Sequence, residues 1–395
     1  ESDRSNQDLI GEFKEAGTES KTFSQSVTDG FQQILQGIPT GIGIAIGQQL
    51  LAPLQQLTGI IPAAVAEFRE LEESISLTVA IIDGTSAEFN ALSDSILKVS
   101  SNSAATAAEV GGVAQSLARA GFSLQEIDAA LAGVVQGAEA TGTSYEAMGQ
   151  IVVNALGAYQ LAASEAGMVS DVLTVAANGS NQSVTDLGEA LKYVGPIAQA
   201  TGQDLEDTAL ALQLLADSGI KGSQAGTSFR TILTNLQIAA SGAGGEFLEL
   251  SRGSKRLEKA LKLIGANMTD ANGELITGAA LIKELQRSME GLTSGEKALV
   301  SKALAGSEGL PALNTLISAS GDKIDELADS LNNSAGAAAD ATAKALSGLS
   351  GSFKLLQSNI SAFLVQVGAV IGTVLKPLID FATGVLSAFN QLPGP

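Results

Sequence analysis

Histidine, cysteine and tryptophan are absent from all 395 residues of the chain. Their absence removes Ser-His-Asp, Cys-His and every other imidazole-based proton-transfer mechanism. It also removes Cys/His zinc sites, haem ligation, iron–sulfur clusters and disulfides. The redox compartment stays open, since a cysteine-free chain tolerates either. An enzyme built from what remains would need carboxylates with a hard metal, or a Ser/Lys pair. Aromatics are scarce, with 12 Phe and 3 Tyr. Positive charge is scarce too: 22 basic side chains face 42 acidic ones, a formal charge of −20. Specific nucleic-acid binding is not expected, because neutralising phosphates needs a Lys/Arg surface. No secretory leader pattern opens the chain. It starts at Glu1 rather than Met, so a piece of a longer protein is expected.

What is present favours helices. Apolar residues make up 45 % of the chain, enough for a sizeable core, and glycine reaches 44. The length fits two or three domains. Small side chains let helices approach closely. Periodicity of three to four residues runs through Leu124, Ile127, Leu131, Val134, Val135 and Ala138. It recurs through Met148, Ile151, Val152, Ala155, Leu156 and Tyr159, and through Leu187, Leu191, Val194 and Ala198. Helix starts are marked as well. Ser123 with Glu126 reads as a capping box after Gly121, and Asp204 with Asp207 opens a helix after Gly202. The unit of helix, glycine, polar cap and helix repeats near Gly121, Gly142 and Gly202. The predicted fold is all-α: antiparallel helical hairpins, one short β-hairpin, and a long apolar C-terminal helix.

Four segments follow from the composition. Residues 1–66 hold a polar stretch to Gly30 and then a charge-free run broken by Pro39, Pro53 and Pro62. That run is too interrupted for one membrane span and reads as packed or interfacial pieces. Residues 67–265 form the main helical domain. Residues 266–334 combine helices with a hairpin around Asn272-Gly273, a pair suited to positive φ. The Asp270, Asn272, Glu274 spacing resembles a calcium loop, but Leu275 stands where that loop needs Gly and Leu281 where it needs Glu.

Residues 335–395 form an apolar helical segment without charge between Lys354 and Lys376. There Leu356, Ile360, Phe363, Val367, Val370 and Val374 step by four and three, the spacing of a heptad seam. Leu364, Ile371 and Leu375 cover other faces, so burial on several sides is expected. This seam is the candidate oligomer or membrane contact.

Two further stretches invite a chemical reading. The first, Asp217-Ser-Gly-Ile-Lys-Gly-Ser to Arg230, contains glycines and a lysine like a phosphate-binding loop. However, Lys221 precedes Gly222 rather than following the last glycine, and no strand pattern precedes it. Gly219, Gly222, Ser223, Gly226 and Thr227 therefore read as a tight helix–helix corner. The second is the basic cluster Arg252, Lys255, Arg256, Lys259 and Lys262, opposite Leu257, Ala260, Leu261 and Ile264. It reads as the solvated face of an amphipathic helix. No catalytic, metal or cofactor residue is nominated.

The same region carries a resemblance. The run ALKYVGPIAQATGQDLEDTALALQLLADSGIKGSQAGTSFRTILTNL, from Ala190 to Leu236, resembles the core domain of phage tail tape measure proteins. LARAGFSLQEIDAAL precedes it in order, and TDANGELITGAALIKELQ, LAGSEGLPALNTL and LSGLSGSFKLLQSNISAFLVQVG follow. Ala305-Gly306 departs from the Phe-Gly that the family often places there. The resemblance covers about Glu67 onward and implies a structural virion component rather than an enzyme. It implies several copies bundled in the tail lumen, setting tail length and assembly and contacting tube, tail-tip or baseplate hub proteins. It also implies exit ahead of the genome and contact with the host envelope. A membrane-active helical pore-former without a ruler role is the competing class. A continuous helix of 395 residues would span roughly 590 Å, yet the glycine breaks fold this region into short hairpins. The measuring length is therefore expected mostly elsewhere.

Overall fold

The computed structural model describes residues 60–240, residue 264 and residues 267–390, with side chains described between 64 and 369. Fourteen α-helices occupy the described residues, in agreement with the all-α expectation. They are α1 (Ile60–Ile81), α2 (Ser86–Ser101), α3 (Ala107–Arg119), α4 (Leu124–Thr141) and α5 (Tyr145–Tyr159). A 3-10 turn, Ala163–Glu165, leads into α6 (Ala166–Asn178), α7 (Val184–Ala200), α8 (Leu205–Asp217) and α9 (Gly222–Ala240). Then come α10 (Gly278–Glu290), α11 (Ser294–Ser318), α12 (Gly321–Asn332), α13 (Ala337–Leu346) and α14 (Leu349–Asn390). The chain divides into two compact units, residues 69–365 and residues 1–68 with 366–395. In the second of these, Gly368 lies directly against the Ala64 carbonyl and Phe68. The basic cluster between Arg252 and Lys262 lies outside the described residues, as does the charge-free run before Gly59.

Local chemistry explains the helix starts in the larger unit. Thr85, Thr106, Ser123, Ser183 and Thr293 each accept from the amide three residues on, while Glu88, Glu109, Glu126, Asp186 and Glu296 reach back. Asp204 caps α8 by accepting from the Asp207 amide at 2.7 Å. Gly121, Gly142 and Gly202 take positive φ where the preceding helices end. The periodic faces read from sequence are the core. Ile127, Leu131, Met148, Leu173, Leu187 and Leu205 are fully buried.

Packing uses small residues for close approach. A Cβ on Gly226 of α9 would stand 2.3 Å from the Ala190 carbonyl oxygen of α7. Gly133 of α4 and Gly167 of α6 meet in the same manner. Helix α11 kinks at Gly306, whose φ is 65°. Asn235 of α9 meets carbonyls on the near side of that kink, donating to Ala303 at 3.2 Å and Leu304 at 2.8 Å. Helix α13 has no cap of its own. The Asp171 carboxylate of α6 supplies one, accepting from the amides of Gly336 at 2.8 Å and Ala338 at 2.9 Å.

Two fold expectations need correction. Around 267–276 there is no hairpin of paired strands, only one isolated antiparallel bridge between Thr269 and Leu275. Two backbone bonds flank that bridge, Ile276 amide to Met268 carbonyl and Asp270 amide to Glu274 carbonyl, both 2.8 Å. The Asp270 side chain closes the tip by accepting from the amides of Asn272 at 2.8 Å and Glu274 at 3.0 Å. The long apolar C-terminal helix is not upheld either. Helix α14 runs to Asn390, but its described part is two-faced. Gly351, Ser358, Ser361, Ala362 and Val365 face inward while larger apolar residues face out.

Candidate interaction site on the C-terminal helix

The heptad seam can be placed residue by residue. Leu349 is 73 % exposed, Phe353 38 %, Leu356 44 % and Ile360 43 %. They recur at intervals of four, three and four, one stripe of about 16 Å along the helix. Phe363 and Val367 continue the spacing and are half-buried. The side chains of Val370 and Val374 lie outside the described residues. Sequence reasoning missed Leu349 and Phe353, although their spacing extends the same seam by one heptad, about two turns. It expected apolar burial on several faces, whereas the helix seats its small side first.

One hydroxyl anchors that small side. Ser358 is fully buried, its Oγ 2.7 Å from the Ser100 carbonyl and 2.6 Å from the Ala105 carbonyl. The loop that receives it, 102–106, is held from the other side by Glu139 of α4. The Ala104 amide donates to Glu139 Oε1 at 2.6 Å, and the Tyr145 hydroxyl donates at 3.2 Å. Glu139 Oε2 is buried without a partner. Burial raises the Glu139 carboxyl above its usual range, against the lowering effect of those donors and of Lys354 on α14. Burial, with Glu139 and Glu109 nearby, pushes the Tyr145 hydroxyl up as well.

The glycine-rich corner occupies a different part of the molecule. Gly219 and Gly222 take φ of +84° and +56° between α8 and α9. Ser223 is exposed on the first turn of α9, Gly226 is buried against α7, and Thr227 donates back to the Ser223 carbonyl at 2.7 Å. The element before Lys221 is helix α8, not a strand. The corner and the α14 seam are separate features, and the structure brings no residue of one to the other. Among the described residues, no three acidic side chains converge as metal ligands. No helix among them is long and apolar enough to cross a membrane.

The described residues thus form a multi-helix body with an exposed apolar stripe at the start of α14. The family profile described as "Phage-related minor tail protein" matches residues 93–306, more than half of the chain. The chain belongs to this family, that of phage tail tape measure proteins. It is 30 % identical over 246 residues to the tape measure protein of Pneumococcus phage Dp-1, covering 62 % of the chain and 20 % of that protein. It is 28 % identical over 249 residues to the probable tape measure protein of Escherichia phage P2, covering 62 % of the chain and 28 % of that relative. The chain thus spans well under half of either relative. No solved structure matches it.

Proposed function

We propose that this chain is the compact, docking part of a tape measure protein lying in the phage tail lumen. There it takes part in tail assembly and length control, and leaves ahead of the genome through the host envelope. The observation that carries the reading is the family match with two relatives named for that role. The folded helices add a division of labour. A region doubled back in helices of 10 to 25 residues from α1 to α13 measures little length, so the ruler lies in sequence beyond the matched stretch. Copies sit side by side through the α14 seam, where two features favour self-contact. The seam steps by heptads, and the sequence carries no acidic residue between Asp340 and Asp380, whereas elsewhere a charge of −20 drives copies apart. Tube, tail-tip or baseplate hub proteins are the partners of the remaining surface.

Two measurements test this. Deleting helical sequence outside the matched stretch in the parent protein should shorten tails by about 1.5 Å per residue. Unchanged tail length would overturn the ruler role. Sedimentation of the chain should show concentration-dependent association that Leu356→Asp with Ile360→Asp abolishes without unfolding it. A wild-type chain that stays monomeric at high concentration would overturn the contact.

A further inference from the structure

The turn at 268–278 and the start of α10 are fastened to the α7–α8 corner by side chains far away in sequence. Gln203, buried between α7 and α8, forms a two-point clamp. Its Nε2 donates to the Ile276 carbonyl at 3.1 Å, and the Gly278 amide donates to its Oε1 at 3.0 Å. Beside the clamp, Thr277 makes no side-chain cap for α10. The Asp207 carboxylate of α8 rests against the first residue of α10. A Cβ added to Gly278 would collide with Asp207 Oδ1, and Gly278 holds φ of +53°. Thr277 hydrogen-bonds to the Asp207 carboxylate, which also lies within hydrogen-bonding reach of the Asp204 carboxyl. Two carboxyls in contact share a hydrogen bond only when one carries a proton.

We propose that the Asp204–Asp207 pair is a proton-responsive latch that fastens α10 to the α7–α8 corner more tightly in mild acid than at neutral pH. Every charged group facing the pair pushes the same way. Glu206 adjoins it on α8, with Glu165 of the 3-10 turn beyond Glu206, and Tyr159 of α5 is a phenol that burial pushes up. Helix α10 offers the Thr277 hydroxyl, and its Lys283 is engaged with Asp325 of α12. Desolvation first, then the Asp204 charge, pushes the Asp207 carboxyl from 3.8 up to about 6. The sign follows directly. The folded latch binds a proton at a pH where the undocked chain does not, so docking strengthens as pH falls from about 6 towards 3.8. Above that window the Asp207 carboxyl is charged and is repelled by the Asp204 charge at the joint.

Hydrogen exchange by mass spectrometry on the 395-residue chain reads the joint locally. Protection of the 276–285 peptides, corrected for intrinsic exchange, should rise on the order of tenfold between pH 7.5 and 5.0. Asp207→Asn should make that protection independent of pH while leaving peptides of α4 to α6 unchanged. Asp204→Asn keeps a good helix cap and should move the midpoint to lower pH. A wild-type chain with no pH response at 276–285, or an Asp207→Asn chain with the full response, would overturn the latch. An Asp204→Asn chain with an unmoved midpoint would overturn it equally, even if Asp207→Asn failed to fold.

Discussion

Helix α9 and the described half of α14 both turn small residues towards the body, with different results. On α9, Gly226 lets the helix approach α7 so closely that Phe229, Ile232, Leu233 and Leu236 are all buried along the same helix. On α14, Gly351, Ser358 and Ala362 face inward, yet Leu349, Phe353, Leu356 and Ile360 are left outside. The α9 contact satisfies its own hydrophobic face, and the α14 contact does not. A helix that seats its small side and shows its large side is held by shape and by buried hydroxyls such as Ser358, and its apolar stripe is available to another helix. Closeness of packing therefore separates the structural contact from the candidate assembly surface.

The sharpest way to break that contrast is Gly226→Val. A Cβ there meets backbone of α7, 2.3 Å from the Ala190 carbonyl oxygen and 2.8 Å from its Cα, so no side-chain rotation relieves it. The helices must separate, with loss of about 3 kcal/mol or more. Chemical denaturation should show the midpoint collapsing. A near-normal midpoint would mean that the α7–α9 contact is not what holds the body.

How legible all this was depends on the distance over which each feature is decided. The helices and their caps were readable because Ser123 with Glu126, or Leu187 with Leu191, interact within a single turn. Features decided by contacts between distant residues were not readable. Nothing near Gly336 says that Asp171 caps α13, and nothing near Thr277 says that Gln203 and Asp207 hold α10. The turn at 267–276 misled for the same reason. Asn272-Gly273 correctly marks a reversal, but Asp270 and Gln203 take up polar groups that a hairpin ladder would have used. On α14 the heptad spacing was visible, but which face turned inward was set by the carbonyls of Ser100 and Ala105, some 250 residues earlier.

Ser358→Ala sharpens the comparison from the α14 side. The substitution removes a buried hydroxyl that joins this helix to the 100–105 segment, and with it the single hydrogen bond its proton supplies to the Ser100 and Ala105 carbonyls. A loss of about 1–2 kcal/mol is expected, smaller than at Gly226 because the shape of the contact is kept. The informative readout is local. Exchange at 349–365 should quicken while α7 and α9 keep their protection, since the helix is fastened at a point rather than along its length. Equal loosening of α9 would show that α14 belongs to the same cooperative core, and the contrast would fail.

The smallest effect is also the most discriminating, because it compares two neighbouring glycines on α3. A Cβ on Gly111 would lie 2.7 Å from Ser74 Oγ and 3.6 Å from Leu71 on α1, so Gly111 is a contact glycine like Gly226. A Cβ on Gly112 would meet nothing within 4 Å, and its backbone is ordinary helix. Alanine in a helix interior is better than glycine by roughly 0.5–1 kcal/mol, because it has less backbone freedom to lose. Gly112→Ala should therefore stabilise the chain by about that amount. Gly111→Ala should gain nothing or lose, since the Ser74 side chain must give way first. The opposite order in thermal melts would mean that α3 packs differently from this description, and that small residues here mark sequence habit rather than close helix contact.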